Sequence, residues 1–359
     1  MTKKARLTAI FLILLSFSQP KALIGEPHRV FTIGVIVGTT GIAAASGVSV
    51  RNGIELADRD CDQGDHVRFI FEDDGFQAKT AVSAADKLIH RDKVDALITF
   101  SGATSMAVSA VADRRRVPMI SVTALSDVSA GKDLVRTIFI PPAKLASMMS
   151  ELISRLDPPR VALITSSQEA LLGIRKALLT SLANDPSARP IVFDEEIAPG
   201  DVDLFSLVTR MISRKPEVVI SLTLPPQSAT LARLLKNQGY SGRLVVGPPT
   251  YNFSEIKAAN GALTEALLIG PKSGVSDSFF RRYREQYGEP SVAEGMYGYD
   301  GAKFLIEAAK TGDIVGFLKN SRMMNGSAGS YQINADNLFE VPAEVKVITR
   351  NGDVAVYLE

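Results

Sequence analysis

The stretch TIGVIVGTTGIAAASGVSVRNGIELA, residues 32–57, carries a clear structural signal. Its β-branched first part predicts a strand, the glycines and threonines at 38–41 predict a turn, and the part from about Ser46 predicts a helix. Glycine-rich turns of this kind often bind phosphate. This one lacks both the GK[ST] ending of a P-loop and the G-x-G-x-x-G spacing of a dinucleotide site. We therefore expect it to lead the chain into a helix whose first N–H groups face a polar ligand group.

The same alternation of strand and helix continues along the chain. Short aliphatic runs predict strands at 31–37, 67–72, 96–100, 119–122, 137–140, 161–165, 191–195, 218–222, 244–246 and 266–269. Amphipathic stretches predict helices at 79–90, 104–115, 145–155, 171–182, 204–213, 228–238, 277–287 and 293–309. Near the C-terminus, Asn351-Gly352 predicts a hairpin between strands 345–349 and 354–358. The pattern predicts an α/β fold with two mostly parallel sheets, helices on both faces, and binding at the carboxyl ends of the strands.

Composition limits the class of protein. The chain has 359 residues, which favours two domains over one. Residues 1–22 combine cations, an apolar run and small residues, and this pattern predicts a cleaved signal peptide without a lipid anchor. Its removal leaves 36 cations against 39 acids, a formal net charge of −3 that argues against nucleic-acid binding. Cys61 is the single cysteine, so no internal disulfide can form.

Signals for catalysis or a cofactor are weak. The three histidines have no metal-ligand spacing to one another or to Cys61, and no G-x-S-x-G motif occurs. Asp73-Asp74 follow a strand and resemble a catalytic pair, but we interpret them as a polar turn facing solvent. We expect a protein without catalytic activity that needs no cofactor or metal.

Four blocks, in order, resemble the branched-chain amino acid-binding family of type I periplasmic substrate-binding proteins. They are the opening stretch, FEDDGFQAKTAVSAADKLIHRDKVDALI at 71–98, VPMISVTALS at 117–126 and YGEPSVAEGMYGYDGAKFLIEAAK at 287–310. The resemblance implies two lobes that close on a ligand, linked by three crossings of the chain. We place these crossings at 141–142, near Pro271 and near 326–329. The expected lobes are then 29–142 plus 273–328, and 143–272 plus 329–359.

Positions that hold the ligand in the family differ here. The resemblance implies a serine and a threonine hydroxyl for the ligand carboxylate, and an acid for its ammonium group. Those positions are Gly102, Leu125 and Pro249 in this chain. An uncompensated buried charge costs several kcal/mol (about 3–5), so we expect no binding of leucine-type amino acids.

Aromatic positions of the family are also lost. Two tyrosines of the second lobe correspond to Ala170 and Leu224, and a tryptophan of the first loop corresponds to Ser46. These changes favour a larger or less polar ligand. Two alternatives stay open: Glu169 or Asp127 supplies the missing acid, or the alignment is displaced by a residue or two in these loops.

The candidate ligand-binding residues therefore come from six strand-end loops. They are Thr40, Ser46, Ser101, Gly102, Thr104, Thr123, Ala124, Leu125, Ala170, Leu224, Pro249 and Tyr251. The resemblance implies a monomeric periplasmic binding component of an ABC-type importer, with a small-molecule ligand and a membrane permease as partner. The alternative is a ligand-sensing or accessory module of the same fold that acts on a receptor or enzyme.

Overall fold

The computed structural model describes residues 29–41, 43–62, 65–184, 190–288 and 293–358. The predicted signal peptide lies outside these residues. The strands are β1 (Phe31–Ile36), β2 (Val67–Glu72), β3 (Ala96–Phe100), β4 (Met119–Val122), β5 (Val135–Phe139), β6 (Val161–Ser166), β7 (Ile191–Ile197), β8 (Val218–Leu222), β9 (Arg243–Val246), β10 (Leu267–Pro271), β11 (Met323–Gly326), β12 (Gly329–Ile333), β13 (Leu338–Glu340), β14 (Ala343–Ile348) and β15 (Val354–Val356).

The helices lie mostly between consecutive strands, as the sequence pattern predicts. They are α1 (Ala44–Cys61), α2 (Ala78–Asp86), α3 (Gly102–Arg115), α4 (Pro142–Leu156), α5 (Glu169–Ala183), α6 (Phe205–Ser213), α7 (Gln227–Asn237), α8 (Phe253–Ala258), α9 (Val275–Tyr287), α10 (Ala293–Lys310) and α11 (Ile314–Asn320). All ten strands predicted before residue 272 are present, with ends within two residues of the prediction. Helices α8 and α11 and strands β11 to β13 were not predicted.

Two sheets form the two lobes. The first has the order β11-β12-β13-β5-β4-β3-β1-β2, and the second has the order β15-β14-β10-β9-β8-β6-β7. Strands β1 to β5 pair in parallel, as do β6 to β10. In each sheet the strand order reverses once, between β1 and β3 and between β6 and β8. Ligands of open α/β sheets bind at such reversal points, beyond the carboxyl ends of the strands.

The chain crosses between the lobes three times. Two crossings, after β5 and after β10, lie where the prolines predict them. The third was predicted near 326–329 and is wrong: Gly326 and Gly329 face each other across a β11–β12 hairpin. Because β13 then pairs with β5, the third crossing lies at 341–342, and residues 329–340 belong to the first lobe.

Two of the family-like blocks, 32–57 and 287–310, pack on each other as α1 and α10. A Cβ at Gly53 would lie 2.0 Å from the carbonyl oxygen of Gly295, so only glycine allows this approach. Fourteen side chains or glycines of α10 are buried, which makes this helix the centre of the first lobe. Its first turn lies beside the space between the lobes, where Glu294 lines a cavity.

Candidate ligand-binding cleft

A cavity of about 360 Å³ lies between the two lobes, where the reversal points of the two sheets face each other. From the first lobe it is lined by Ala43, Ala45, Ser46, Phe76, Phe100, Ser101, Gly102, Ala103, Val122, Thr123, Ala124, Phe139 and Glu294. From the second lobe it is lined by Gln168, Ala170, Leu171, Ile174, Leu224, Pro225, Pro248, Pro249 and Asn252. Small-molecule pockets span about 300–1,000 Å³, so the volume suits a compact ligand.

Most of the residues that the sequence singled out meet in this cavity. The eight that line it are Ser46, Ser101, Gly102, Thr123, Ala124, Ala170, Leu224 and Pro249. They come from loops after six different strands in both lobes. The structure thus brings these loops together at one place, as the carboxyl ends of parallel strands require.

Four predicted residues lie outside the cavity wall. Thr40 turns towards Asp73, and the Thr104 hydroxyl donates to the carbonyl oxygen of Phe100 at 2.7 Å. Leu125 is half-buried and packs against core residues of the first lobe. Tyr251 is buried, with its ring centroid 5.8 Å from that of Phe280.

The N-terminus of α3 forms a polar side of the cavity. Ser101 precedes this helix with φ +80°, and no side chain caps the first N–H groups. The Ser101 and Thr104 hydroxyl oxygens lie 3.0 Å apart, and this hydrogen bond holds the Ser101 side chain at the first turn of α3. Free N–H groups at a helix start bind acceptor groups, so this side suits a ligand oxygen.

Aromatic side chains form an apolar part of the cavity wall, and the sequence analysis did not identify them. Phe76 and Phe100 meet edge to face, with ring centroids 5.8 Å apart. A Cβ at Gly38 would lie 2.4 Å from the Phe76 ring, so the glycine of the opening turn makes room for this wall. Phe139 packs edge to face on Tyr297, with centroids 5.2 Å apart. The cavity therefore offers a large apolar surface to a ligand.

Glu294 is the charged side chain among the described residues of the wall. It is half-buried in the first turn of α10. Burial raises its pKa to about 7, against a weaker opposing effect of its own backbone N–H. No sequence pattern singles it out, because it lies on a helix and not in a strand-end loop.

Asp73 and Asp74 have different roles from each other, and neither lines the cavity. Asp73 is exposed, as expected, and its Oδ1 accepts from the N–H groups of Thr39 at 3.0 Å and Gly75 at 2.9 Å. Asp74 is buried and not solvent-facing, which corrects the prediction, and burial raises its pKa. Asp73 thus ties the first loop of the cleft to the second.

Removal of the Asp73 carboxylate should weaken this tie in a pH-dependent way. Desolvation raises the pKa of Asp73, but hydrogen bonds from Gly75, Thr40 and Thr39 outweigh it and lower the pKa to about 2. The stabilisation is therefore present above about pH 4 and is lost as the pH falls towards 2. For Asp73→Ala we expect a loss below about 1 kcal/mol at pH 7, because the group is exposed. Urea unfolding between pH 2 and 7 should show the wild-type and variant curves converging in acid. A constant gap, or the same effect for the exposed Asp86→Ala, would contradict this assignment.

In the described part of the chain, no group of three or more His, Cys, Asp or Glu side chains could hold a metal ion. His66 instead lies with Nδ1 2.9 Å from Asp62 Oδ1, next to β2 and outside the cleft. No helix among the described residues is long and apolar enough to span a membrane.

Comparison with known proteins agrees with the two-lobed architecture. Residues 30–322 match the family described as "Periplasmic binding protein". The chain is 27% identical over 228 residues to the Leu/Ile/Val-binding protein BraC3 of Rhizobium johnstonii, covering 61% of this chain and 62% of that protein. It is 26% identical over 246 residues to the Leu/Ile/Val-binding protein homolog 3 of Brucella melitensis, covering 66% of each. The matches thus span about two thirds or less of each relative.

Solved structures show the same fold over nearly the whole chain. The branched-chain amino acid transporter substrate-binding protein LivJ of Streptococcus pneumoniae, in complex with isoleucine, aligns with a TM-score of 0.82 at 22% identity and covers 91% of this chain and 98% of that one. A solute-binding protein of an ABC transporter from R. palustris, in complex with benzoate, aligns with a TM-score of 0.78 at 16% identity and covers 91% and 95%. The family match covers most of the chain, and the fold is that of a type I periplasmic binding protein. The chain therefore belongs to the periplasmic binding protein family.

Proposed function

We propose that this protein is the periplasmic solute-binding component of an ABC-type importer and that its ligand is a small molecule with an apolar body. The observation that carries this proposal is the cavity between the lobes, at the reversal points of both sheets. Hinge closure of two lobes around a ligand gives a permease a closed form to recognise. The names of the relatives support transport as the context, since the R. palustris neighbour is a solute-binding protein of an ABC transporter.

The ligand is not a standard branched-chain amino acid in this proposal. Gly102 and Pro249 line the cavity at positions where the family resemblance implies a hydroxyl and an acid. Leu125 stands where a second hydroxyl is implied, and its aliphatic side chain packs against the core of the first lobe. A ligand carboxylate would lose two hydroxyl hydrogen bonds, each worth about 1.5–3 kcal/mol to a charged group.

The apolar wall and the volume of about 360 Å³ favour a compact ligand with a mainly apolar surface. Phe76, Phe100 and Phe139 line the cavity. Aromatic and aliphatic walls with few polar groups bind compounds of mainly apolar surface.

Calorimetry with leucine, isoleucine and valine tests the exclusion of these ligands. We expect no heat of binding at micromolar concentrations, because the carboxylate partners are missing. A parallel thermal-shift panel of amines, aromatic acids, amides and polyols should contain a compound that raises the unfolding temperature, since ligand binding stabilises the folded state. Micromolar affinity for leucine, isoleucine or valine would refute the exclusion.

A further inference from the structure

The cavity contains one feature that the proposed function leaves unexplained: a single carboxyl group in an otherwise neutral wall. Of the described residues that line the cavity, Glu294 is the one that can carry a charge. It lies one helical turn before Tyr297, whose ring packs on Phe139 of the same wall. Glu294 therefore lines the cavity on the same side as the aromatic rings.

Neighbouring groups do not neutralise this carboxyl. The Tyr297 phenol interacts electrostatically with Glu294, and Tyr251 and Asp300 interact with Tyr297 in turn. Helix α1 packs against the start of α10 through Gly53. The cation of α1 nearest to this contact in sequence, Arg51, is paired with Glu55 at 2.9 Å. In the described part of the chain, no lysine or arginine forms an ion pair with Glu294, and burial is the main cause of its raised pKa.

A partly desolvated carboxylate without a cation is costly, and a bound cation would offset this cost. Phenyl faces also attract cations, by about 0.5–2 kcal/mol for each contact. The wall supplies both elements, one carboxylate and three phenyl rings, on the first-lobe side of the cavity.

We propose that the ligand is a protonated amine on an apolar body and that Glu294 binds its ammonium group. This inference rests on the proposed function and names the ligand class of the same cavity. Glu294 would then take the role that the acid at the Pro249 position has in amino acid-binding members, but from the other lobe. The apolar part of the amine would lie against Phe76, Phe100 and the prolines at 225, 248 and 249.

Matched pairs of compounds test the proposal. Calorimetry compares 2-phenylethylamine with 3-phenylpropanoate, and hexylamine with hexanoate, on the wild-type protein and on Glu294→Gln. We expect the amines to bind and the acids not to bind, with amine affinity reduced at least about tenfold in Glu294→Gln. Glu285→Gln is the control, because Glu285 is an exposed acid on α9 that does not line the cavity. Its affinity for amines should match that of the wild type.

The pH dependence separates a direct charge contact from a change of shape. These amines stay protonated between pH 5 and 8, so only the protein titrates. Since the carboxylate form is needed, wild-type affinity should fall by up to about tenfold for each pH unit below 7. Glu294→Gln should show no such fall, and Glu294→Asp should keep it. The unfolding temperature of each variant verifies that it is folded.

Opposite results would overturn the proposal. Acids that bind more tightly than amines, with affinity rising below pH 7, would mean that Glu294 acts as a protonated donor. Equal amine affinity in wild type and Glu294→Gln would remove Glu294 from recognition. Mass spectrometry of the compound released from protein purified from periplasm adds an independent readout. A bound compound without a basic nitrogen refutes the amine but keeps the binding function, whereas no binding in any chemical class refutes both.

Discussion

Replacement of Asp300 by alanine is expected to lower the free energy of unfolding by about 3–5 kcal/mol. Asp300 is fully buried on α10. Its Oδ1 accepts from the Ser327 N–H at 2.9 Å and the Ser327 hydroxyl at 2.7 Å, and its Oδ2 accepts from the Tyr331 hydroxyl at 2.5 Å. Alanine would leave three donors of buried residues without their acceptor. Urea unfolding at pH 7 measures the loss.

Two conservative variants separate hydrogen bonding from volume. Asp300→Asn keeps an oxygen for Ser327 and places an amide beside Tyr331, so we expect less than half of the loss seen with alanine. Tyr331→Phe removes the hydroxyl that donates to Asp300 and accepts from the Ala328 N–H. We expect this variant to cost about 1–2 kcal/mol. If all three variants unfold at the wild-type urea concentration, the network does not stabilise the first lobe.

The pH dependence of this network has a definite sign. Burial raises the pKa of Asp300 to about 6, against the opposing hydrogen bonds from Tyr331 and Ser327. Between about pH 4 and 6 the folded protein therefore holds a proton that the unfolded chain releases. Stability from this group is largest below about pH 4 and falls as the pH rises to 6. The gap between wild type and Asp300→Ala should accordingly be wider at pH 4 than at pH 7.

This network also explains why the third crossing could not be placed from sequence. Tyr331 of β12 binds Asp300 of α10, so a tertiary contact keeps the hairpin in the first lobe. Strands β11 to β13 are three to five residues long, and β11 and β12 carry exposed positions, so they lack the continuous apolar run of a buried parallel strand. Gly326 and Gly329 fit a hinge and a hairpin turn equally well in sequence.

Strands β1 to β10 were predictable for the opposite reason. The strands inside each sheet are buried on both faces, which requires aliphatic runs whatever their neighbours are, as in Ala96–Phe100 and Val218–Leu222, where every residue is buried. The parallel order then fixes where the loops meet. The location of the cleft could thus be predicted without any knowledge of side-chain directions.

Side-chain directions within the cleft needed the structure. Thr40 faces Asp73 and not the ligand space, because the two loops exchange hydrogen bonds. Phe76 reaches the wall with φ +60°, a backbone conformation that residue type alone does not predict. Glu294 enters the wall from helix α10 and not from a strand-end loop, so its place in the wall depends on how α10 packs on α1.

A second large effect is expected for Ala170→Trp, which should weaken ligand binding at least about 100-fold, or about 2.7 kcal/mol. Ala170 lies in the first turn of α5 and lines the cavity from the second lobe, with part of its surface exposed. An indole ring there would take up much of the space of about 360 Å³ and would face the aromatic wall of the first lobe. Calorimetry with the tightest compound of the panel measures the loss, and the unfolding temperature without ligand verifies the fold.

The control for this variant is Lys176→Trp, on the same helix. Lys176 is exposed and does not line the cavity, so the same indole should leave affinity unchanged. The comparison distinguishes occupation of the cleft from a general effect of a bulky residue on α5. Because Ala170 belongs to the second lobe and Glu294 to the first, a loss in both Ala170→Trp and Glu294→Gln would place the ligand between the lobes. Wild-type affinity in Ala170→Trp would instead mean that the ligand binds outside this cavity.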